Sequence, residues 1–171
     1  MTTKYRNAAS VAEQRILQIT AQFEVNKSDP YNTIDTMPNT EIVHVPHLGG
    51  IDAAYQQPHP YDPAKPTLVL VNSFMTSSEL YKSQYANKEL NDKMNLIAIE
   101  LLGHGQTRAK VENFTYWDTA IMNLQVLDAL GMTGEGRKTF VLGTSQGGWI
   151  CVRMALLAPE VVRAIQLAVE E

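Results

Sequence analysis

Runs of apolar residues alternate with polar, turn-rich segments along the chain and define its predicted elements. Four runs have the length of buried strands, and they cover residues 67–72, 96–101, 139–142 and 164–169. Segments between these runs carry helical periodicity and predict helices over 78–90, 115–130 and 147–158. Strands that are apolar on both faces and alternate with helices are typical of a mostly parallel sheet flanked by helices, so the predicted fold class is α/β.

The segments before the first of these strands have a different character. Apolar positions spaced by three and four residues predict an amphipathic helix over 10–24, followed by a polar loop. Residues 41–47 and 51–56 predict a β-hairpin that turns on Gly49 and Gly50. Four of the eight prolines then crowd into residues 56–66 and predict an irregular connector within one domain.

Composition and charge exclude several classes of function. Fourteen Lys and Arg stand against 18 Asp and Glu, a net charge of −4, and no basic cluster favours nucleic acid as a partner. The single cysteine, Cys151, excludes an internal disulfide framework and a multi-cysteine zinc site. No apolar run approaches the roughly 20 residues that span a bilayer. Since the amino terminus shows no apolar signal segment, we expect a cytoplasmic protein without membrane partners.

The sharpest candidate for chemistry is the segment Gly143-Thr144-Ser145-Gln146-Gly147, between the strand over 139–142 and the helix over 147–158. A serine on such a tight strand-to-helix turn is held in a strained conformation and projects its Oγ clear of the sheet. The Gln146 N–H and the positive end of the helix would face the point where an oxyanion forms. The pattern predicts Ser145 as a catalytic nucleophile.

Three segments, in this order, make residues from about 41 to 165 similar to the amino-terminal half of an α/β-hydrolase. Strand 67–72 with the following Ser73–Ser78 resembles the family's strand and oxyanion loop, in which Asn72 and Ser73 replace the usual His-Gly. Residues 100–107 resemble the family's Asp-x-x-Gly-x-Gly-x-Ser turn, with Glu for Asp and Thr for Ser. The elbow around Ser145 is the third segment.

The resemblance implies an esterase or thioesterase that acts on a small-molecule substrate and needs no cofactor or metal. It implies that the backbone N–H groups of Phe74 and Gln146 hold the oxyanion. Dehalogenases and epoxide hydrolases of this family are disfavoured, because they use Asp where this chain has Ser145. The residues of these motifs also resemble those of fungal α/β-hydrolases from secondary-metabolite and host-selective-toxin gene clusters, whose full-length members can be peroxisomal.

The resemblance places the triad acid and base after the nucleophile, in the order Ser, acid, His. Residues 146–171 contain no His and no Asp, and their acids are Glu160, Glu170 and Glu171. The acid and base of the triad are therefore not identified in this chain. We expect a domain that stops after about the sixth strand, with residues 1–40 forming an amino-terminal helix and loop and residues 41–171 an incomplete α/β-hydrolase domain.

All four histidines precede Ser145. His104, between two glycines, is the candidate substitute base or substrate contact, and its simpler interpretation is a structural hydrogen bond. His44, His47 and His59 are interpreted as surface or hydrogen-bonded residues, since their spacing is not that of metal ligands. Cys151 is interpreted as a buried, apolar residue.

Two hypotheses follow. The first is a serine hydrolase by ancestry, truncated and with little esterase activity as this polypeptide alone. The second is a non-catalytic α/β domain: a fragment, a binding module or a pseudoenzyme. In either case the last predicted strand presents an open sheet edge, which favours self-association.

Overall fold

The computed structural model describes residues 37–168, so the predicted helix over 10–24 lies outside the described residues. The strands in this range are β1 (Thr40–Val45), β2 (Ile51–Gln56), β3 (Thr67–Val71), β4 (Asn95–Ile99), β5 (Arg108–Ala109), β6 (Thr139–Thr144) and β7 (Val162–Ala168). The helices are α1 (Lys82–Ala86), α2 (Lys88–Lys93), α3 (Tyr116–Ala129) and α4 (Gln146–Leu157), with 3-10 turns at His47–Gly49 and Ser78–Tyr81.

The strands of this range form one mixed sheet in the order β1-β2-β4-β3-β6-β7, with the short β5 beside β2. β4, β3, β6 and β7 run parallel, while the hairpin of β1 and β2 joins them antiparallel through β2. The predicted mostly parallel sheet is confirmed. β5 is one strand more than the pattern predicts, because two residues are too few to show a periodicity.

The apolar runs are continuous because both faces of the sheet are covered. In β3, Val69 and Val71 belong to the core cluster that includes α3 and α4, while Leu68 and Leu70 belong to the cluster on the other face. That second cluster is closed by side chains of the 78–94 segment, among them Tyr81. Both faces of the central strands are therefore buried, as their continuous apolar runs predict.

The prediction of one helix over 78–90 is wrong. The structure has a 3-10 turn and two short helices there, and Asn87 separates the two helices. Asn87 ends α1 and also caps α2, since its side chain accepts a hydrogen bond from the Leu90 N–H at 2.9 Å. Asparagine competes with helical hydrogen bonding through its own side chain, which explains the break.

The two longer helices agree with the sequence pattern. α3 begins after Thr115, which forms a capping box with Asp118, and α4 ends at Leu157, before Ala158 and Pro159. No helix within residues 37–168 combines the length and the apolar character needed to cross a membrane.

Candidate active site

Ser145 occupies the sharp turn between β6 and α4. Its φ of 47° and ψ of −114° lie in a region that residues other than glycine rarely adopt. Such a conformation costs about 1–3 kcal/mol and persists only where the surrounding structure enforces it. Ser145 is exposed at the carboxyl edge of the sheet, so a substrate can reach it.

Two glycines make this turn sterically possible. A Cβ on Gly147 would lie 2.1 Å from the carbonyl oxygen of Val71, and one on Gly143 would lie 2.4 Å from the carbonyl carbon of Gly147. Real Cβ atoms essentially never approach closer than 3.0 Å, and the obstructing atoms are backbone atoms. The spacing of the two glycines around Ser145 therefore follows from the close approach of α4 to the end of β3.

The first turn of α4 presents backbone donors beside Ser145. Gln146 is the first residue of this 12-residue helix, so its N–H precedes the first intrahelical hydrogen bond. The N–H of Gly148 donates to the Ser145 carbonyl oxygen at 3.0 Å. Because the amino terminus of a helix carries partial positive charge, this turn favours a negative charge that develops near Ser145.

The loop after β3, Asn72 to Thr76, is held by hydrogen bonds rather than by apolar packing. The buried Asn72 amide donates to the carbonyl oxygens of Ser73 at 3.1 Å and Thr76 at 2.7 Å. The Thr76 hydroxyl donates to the Ser73 carbonyl oxygen at 2.8 Å. Phe74 and Met75 stand 62% and 82% exposed. The Asn72 side chain thus holds the loop together from the buried side, while the side chains of Phe74 and Met75 are exposed.

The Phe74 N–H is free to donate a hydrogen bond to a ligand. Among the described residues, this N–H donates to no acceptor. β3 and β6 are adjacent parallel strands whose last paired residues are Val71 and Gly143. The Phe74 segment and the Ser145 turn therefore leave the sheet side by side, and the hydroxyls of Ser73 and Thr144 lie 2.6 Å apart. The structure brings the segments of all three sequence-predicted residues, Phe74, Ser145 and Gln146, to one edge.

A buried carboxylate organises the loop after β4. Glu100 Oε2 accepts a hydrogen bond from the Gln106 N–H at 2.6 Å, and Oε1 accepts one from the Ser78 hydroxyl at 3.0 Å. Gly105 lies directly against this side chain, since a Cβ there would be 1.9 Å from Oε2. Glu100 therefore folds the loop that carries His104 back onto the end of β4.

His104 lies at the same edge of the sheet. Its Nδ1 is 3.1 Å from the carbonyl oxygen of Leu102, and its ring makes an edge-to-face contact with Phe74 at 5.8 Å between centroids. Because a carbonyl oxygen only accepts, the neutral tautomer that makes this bond has its proton on Nδ1 and a lone pair on Nε2. His104 thus has both a structural hydrogen bond and an uncommitted basic nitrogen.

The other histidines form pairs elsewhere in the fold. His44 Nδ1 lies 2.9 Å from Asp52 on the exposed hairpin, and His47 Nε2 lies 2.9 Å from Asp118 at the start of α3. In the part of the chain that the structure describes, no histidine is hydrogen-bonded to Ser145. The pair between His47 and Asp118 has no signal in the sequence, because its partners are far apart in the chain.

Cys151 is fully buried in α4, and burial raises the pKa of its thiol, which keeps it protonated. The interpretation of Cys151 as a buried apolar residue agrees with this environment. Within residues 37–168, no three side chains of His, Cys, Asp or Glu gather closely enough to hold a metal ion.

Comparison with solved structures finds the same fold in several enzymes. A probable hydrolytic enzyme from Pseudomonas aeruginosa is 19% identical with a TM-score of 0.66, over 76% of this chain and 41% of that one. A carboxylesterase structure from the ammonia-oxidizing thaumarchaeon Nitrososphaera gargenis is 23% identical with a TM-score of 0.64, over 74% of this chain and 44% of that one. A haloalkane dehalogenase variant from Bradyrhizobium elkanii is 19% identical with a TM-score of 0.60, over 75% and 40%.

At these identities the likeness shows the fold, and this chain spans less than half the length of each of the three structures. Comparison with curated protein sequences yields no match. The family model for the alpha/beta hydrolase fold matches residues 66–169, which include β3, the Glu100 loop and the Ser145 turn. Because this match covers more than half of the chain, the chain belongs to the α/β-hydrolase fold family.

Proposed function

We propose that this chain carries the nucleophile and oxyanion donors of a serine hydrolase that cleaves carboxyl esters or thioesters of small molecules. The observation that carries the proposal is the strained, exposed Ser145 at the amino terminus of α4, beside the free N–H of Phe74. Membership of a hydrolase family supports hydrolysis as the reaction. The serine at this turn favours acyl transfer over dehalogenation, which requires Asp there.

In the proposed reaction the Ser145 Oγ attacks the carbonyl carbon and gives its proton to a general base. The carbonyl oxygen becomes an oxyanion, which accepts hydrogen bonds from the N–H groups of Phe74 and Gln146. The tetrahedral intermediate collapses, the alcohol or thiol leaves with a proton, and water then hydrolyses the acyl group from Ser145. Oxyanion donors of this kind contribute about 10²–10³-fold each to the rate.

The general base is the one group of this reaction that is not seen in contact with Ser145 within residues 37–168. His104 is the candidate, because its Nε2 keeps a lone pair at the same edge of the sheet. The alternative to a hydrolase is a non-catalytic binding domain, which is favoured by the lack of a histidine hydrogen-bonded to Ser145 in this range. Without a base, binding and oxyanion stabilisation retain only about 10³–10⁴-fold acceleration over water.

Turnover of p-nitrophenyl esters and of a matched thioester, with and without added imidazole, tests the proposal. Because imidazole alone cleaves such esters, its protein-free reaction is subtracted. We then expect slow turnover that imidazole accelerates in the parent chain and not in Ser145→Ala, because imidazole can act as the general base. Ser83→Ala, at an exposed serine on α1, is the matched control and should behave as the parent does. Equal turnover in the parent and Ser145→Ala under all conditions would support the non-catalytic alternative.

The same assay decides the role of His104. Turnover at ordinary enzymatic rates of about 1–10³ s⁻¹ without imidazole would identify a base within this chain. In that case His104→Gln should remove the activity and imidazole should restore it. The cytoplasmic location and the role in fungal toxin or secondary-metabolite biosynthesis stay predictions from the sequence.

A further inference from the structure

A pair of hydroxyl groups joins the two segments that meet at the candidate site. The Oγ of Ser73, in the loop after β3, lies 2.6 Å from the Oγ1 of Thr144, the residue before Ser145. Ser73 is only 9% exposed, and Thr144 is half-buried. One hydroxyl donates to the other, so this is a short hydrogen bond shielded from water.

This bond lies where the backbone ladder between the strands has ended. The parallel pairing of β3 and β6 runs as far as Val71 and Gly143. Beyond these residues the Asn72–Thr76 loop and the Ser145 turn diverge, and the bond from Ser73 to Thr144 is a cross-strand tie between them.

The side chains of the loop do little to hold it in place. Phe74 and Met75 are mostly exposed, and the ring contact of Phe74 is with His104, itself on a loop. The Asn72 amide closes the loop onto itself without linking it to β6. Polar ties, rather than burial, therefore set the distance between the Phe74 N–H and the Ser145 hydroxyl.

The end of β3 offers a firm base for such a tie. The fully buried Tyr81 hydroxyl donates to the Val71 carbonyl oxygen at 2.6 Å, and burial raises the pKa of Tyr81 so that the phenol stays neutral. On the other side, Gly147 packs against the same carbonyl group. Because the end of β3 is held in place, the bond from Ser73 to Thr144 can fix the position of the loop that follows it.

We propose that Ser73 and Thr144 are positioning residues, whose hydroxyl-to-hydroxyl bond sets the Phe74 N–H at oxyanion distance from Ser145. The catalytic consequence rests on the proposed function, whereas the ordering of the loop does not. The tie is specific to this chain's pattern, because the similar motif has glycine where Ser73 stands, and glycine has no hydroxyl. Ser73→Gly therefore removes the tie while keeping the residue type that the motif accepts.

The test compares Thr144→Val, which is nearly isosteric and lacks the hydroxyl, with Thr144→Ser, which keeps it. Thr139→Val is the matched control on the same strand, since the Thr139 hydroxyl is buried and has no hydrogen-bond partner among the described residues. Two readouts are used: amide hydrogen exchange of residues 73–76, and the rate at which a fluorophosphonate modifies Ser145.

We expect Thr144→Val and Ser73→Gly each to speed exchange of the loop amides by roughly 3- to 10-fold, the usual worth of one hydrogen bond. The maximal labelling rate should fall by a similar factor with the probe's half-saturating concentration unchanged, because the tie acts on geometry and not on probe affinity. Thr144→Ser should restore both readouts. The double variant of Ser73→Ala and Thr144→Val should resemble Thr144→Val, because that variant already lacks the bond to Ser73 as well as the hydroxyl that acts on Tyr81.

The proposal would be overturned if the loop amides exchanged at the same rate in Thr144→Val and in Thr139→Val. It would also be overturned if the effects of the two single variants on exchange and labelling added up in the double variant. If Thr144→Val does not fold, as judged by circular dichroism, Ser73→Ala carries the same test, because it removes the hydroxyl without the added backbone freedom of glycine. Faster loop exchange with no labelling of Ser145 even in the parent would keep the tie and refute the hydrolase function. The two proposals therefore fail separately.

Discussion

At Ser145, a backbone conformation that costs free energy is held in place by two glycines and by the strand and helix on either side. The cost is itself measurable, because glycine adopts this φ and ψ without strain while alanine does not. Strain of this kind at an exposed serine supports a functional interpretation of the turn.

Ser145→Gly should therefore be more stable than Ser145→Ala by about 1 kcal/mol, part of the relief being offset by the greater freedom of glycine in the unfolded chain. Urea unfolding followed by circular dichroism measures the difference. Identical midpoints and slopes for the two variants would show that the turn is not strained.

Gly147→Ala should destabilise the chain by about 1–3 kcal/mol or prevent folding, because its Cβ would lie 2.1 Å from the Val71 carbonyl oxygen. Gly148→Ala is the matched control in the same helix. Its Cβ would meet the flexible end of Leu167 at 3.2 Å and the Gly143 carbonyl oxygen at an ordinary contact distance of 3.6 Å, and alanine is the better helix former. Thermal unfolding of both variants checks the prediction, and a Gly147→Ala chain as stable as Gly148→Ala would contradict it.

The sequence predicts residues whose role is set by local sterics, and it does not predict those whose partner is distant. The turn at Ser145 follows from the spacing of its glycines. The bond from Ser73 to Thr144 joins residues 71 positions apart, and only the register of β3 and β6 brings them together. The one signal in the sequence was the serine that replaces a glycine of the similar motif.

Among the elements, α3 is anchored at its first turn by one carboxylate. Asp118 accepts hydrogen bonds from the Thr115 N–H and hydroxyl, both at 2.7 Å, and from His47 on the turn between β1 and β2 at 2.9 Å. The His47 N–H also donates to the Gln125 side chain at 3.0 Å. Two side chains of α3 that lie about two turns apart, Asp118 and Gln125, therefore attach the hairpin turn to this helix.

Asp118→Asn should lower stability by about 0.5–2 kcal/mol near neutral pH. The hydrogen bond from the Thr115 hydroxyl is the main reason that the pKa of Asp118 lies below its ordinary value of 3.8. Its contribution is therefore complete above that value and is lost as the pH falls through the lower native pKa. Urea titrations at several pH values should show the two chains converging below about pH 4.

Glu112→Gln, at an exposed position, is the control for the loss of one negative charge. A difference between the parent and Asp118→Asn that stays constant as the pH falls would contradict the assignment of the ionised cap.

The helix over 78–90 shows what periodicity misses at the scale of elements. Apolar residues at helical spacing occur there, and the prediction failed because Asn87 ends one helix and caps the next. The capping box of Thr115 and Asp118 was predictable, because both of its partners lie within one turn. The spacing of apolar residues does not show whether an asparagine side chain will replace a helical hydrogen bond of the backbone, because that depends on the local geometry.

For the molecule as a whole, β7 is one of the two edge strands of the sheet in the described range, and it pairs only with β6 there. Leu167 on β7 is 48% exposed, and Trp149 and Leu156 on α4, the helix packed against β7, are 62% and 67% exposed. An unpaired strand beside apolar surface favours association between chains. We propose that the 171-residue polypeptide self-associates through this edge.

Sedimentation velocity over a range of concentrations should therefore show reversible association that Leu167→Lys weakens, because a charge on the edge strand must be desolvated on pairing. Leu80→Lys, at an exposed leucine in the Ser78–Tyr81 turn, is the matched control and should associate as the parent does. A monomer at all concentrations would contradict the prediction.

The central claim is that Ser145 is a nucleophile beside oxyanion donors, and fluorophosphonate labelling mapped by mass spectrometry tests it most directly. Reaction at a hydroxyl phosphonylates its oxygen and releases fluoride, so the modified residue is read from its peptide. We predict one modified serine, Ser145, with slow labelling that imidazole accelerates, and no modification of Ser145→Ala. Labelling spread over exposed serines such as Ser83, or absent from Ser145 with imidazole present, would contradict the claim.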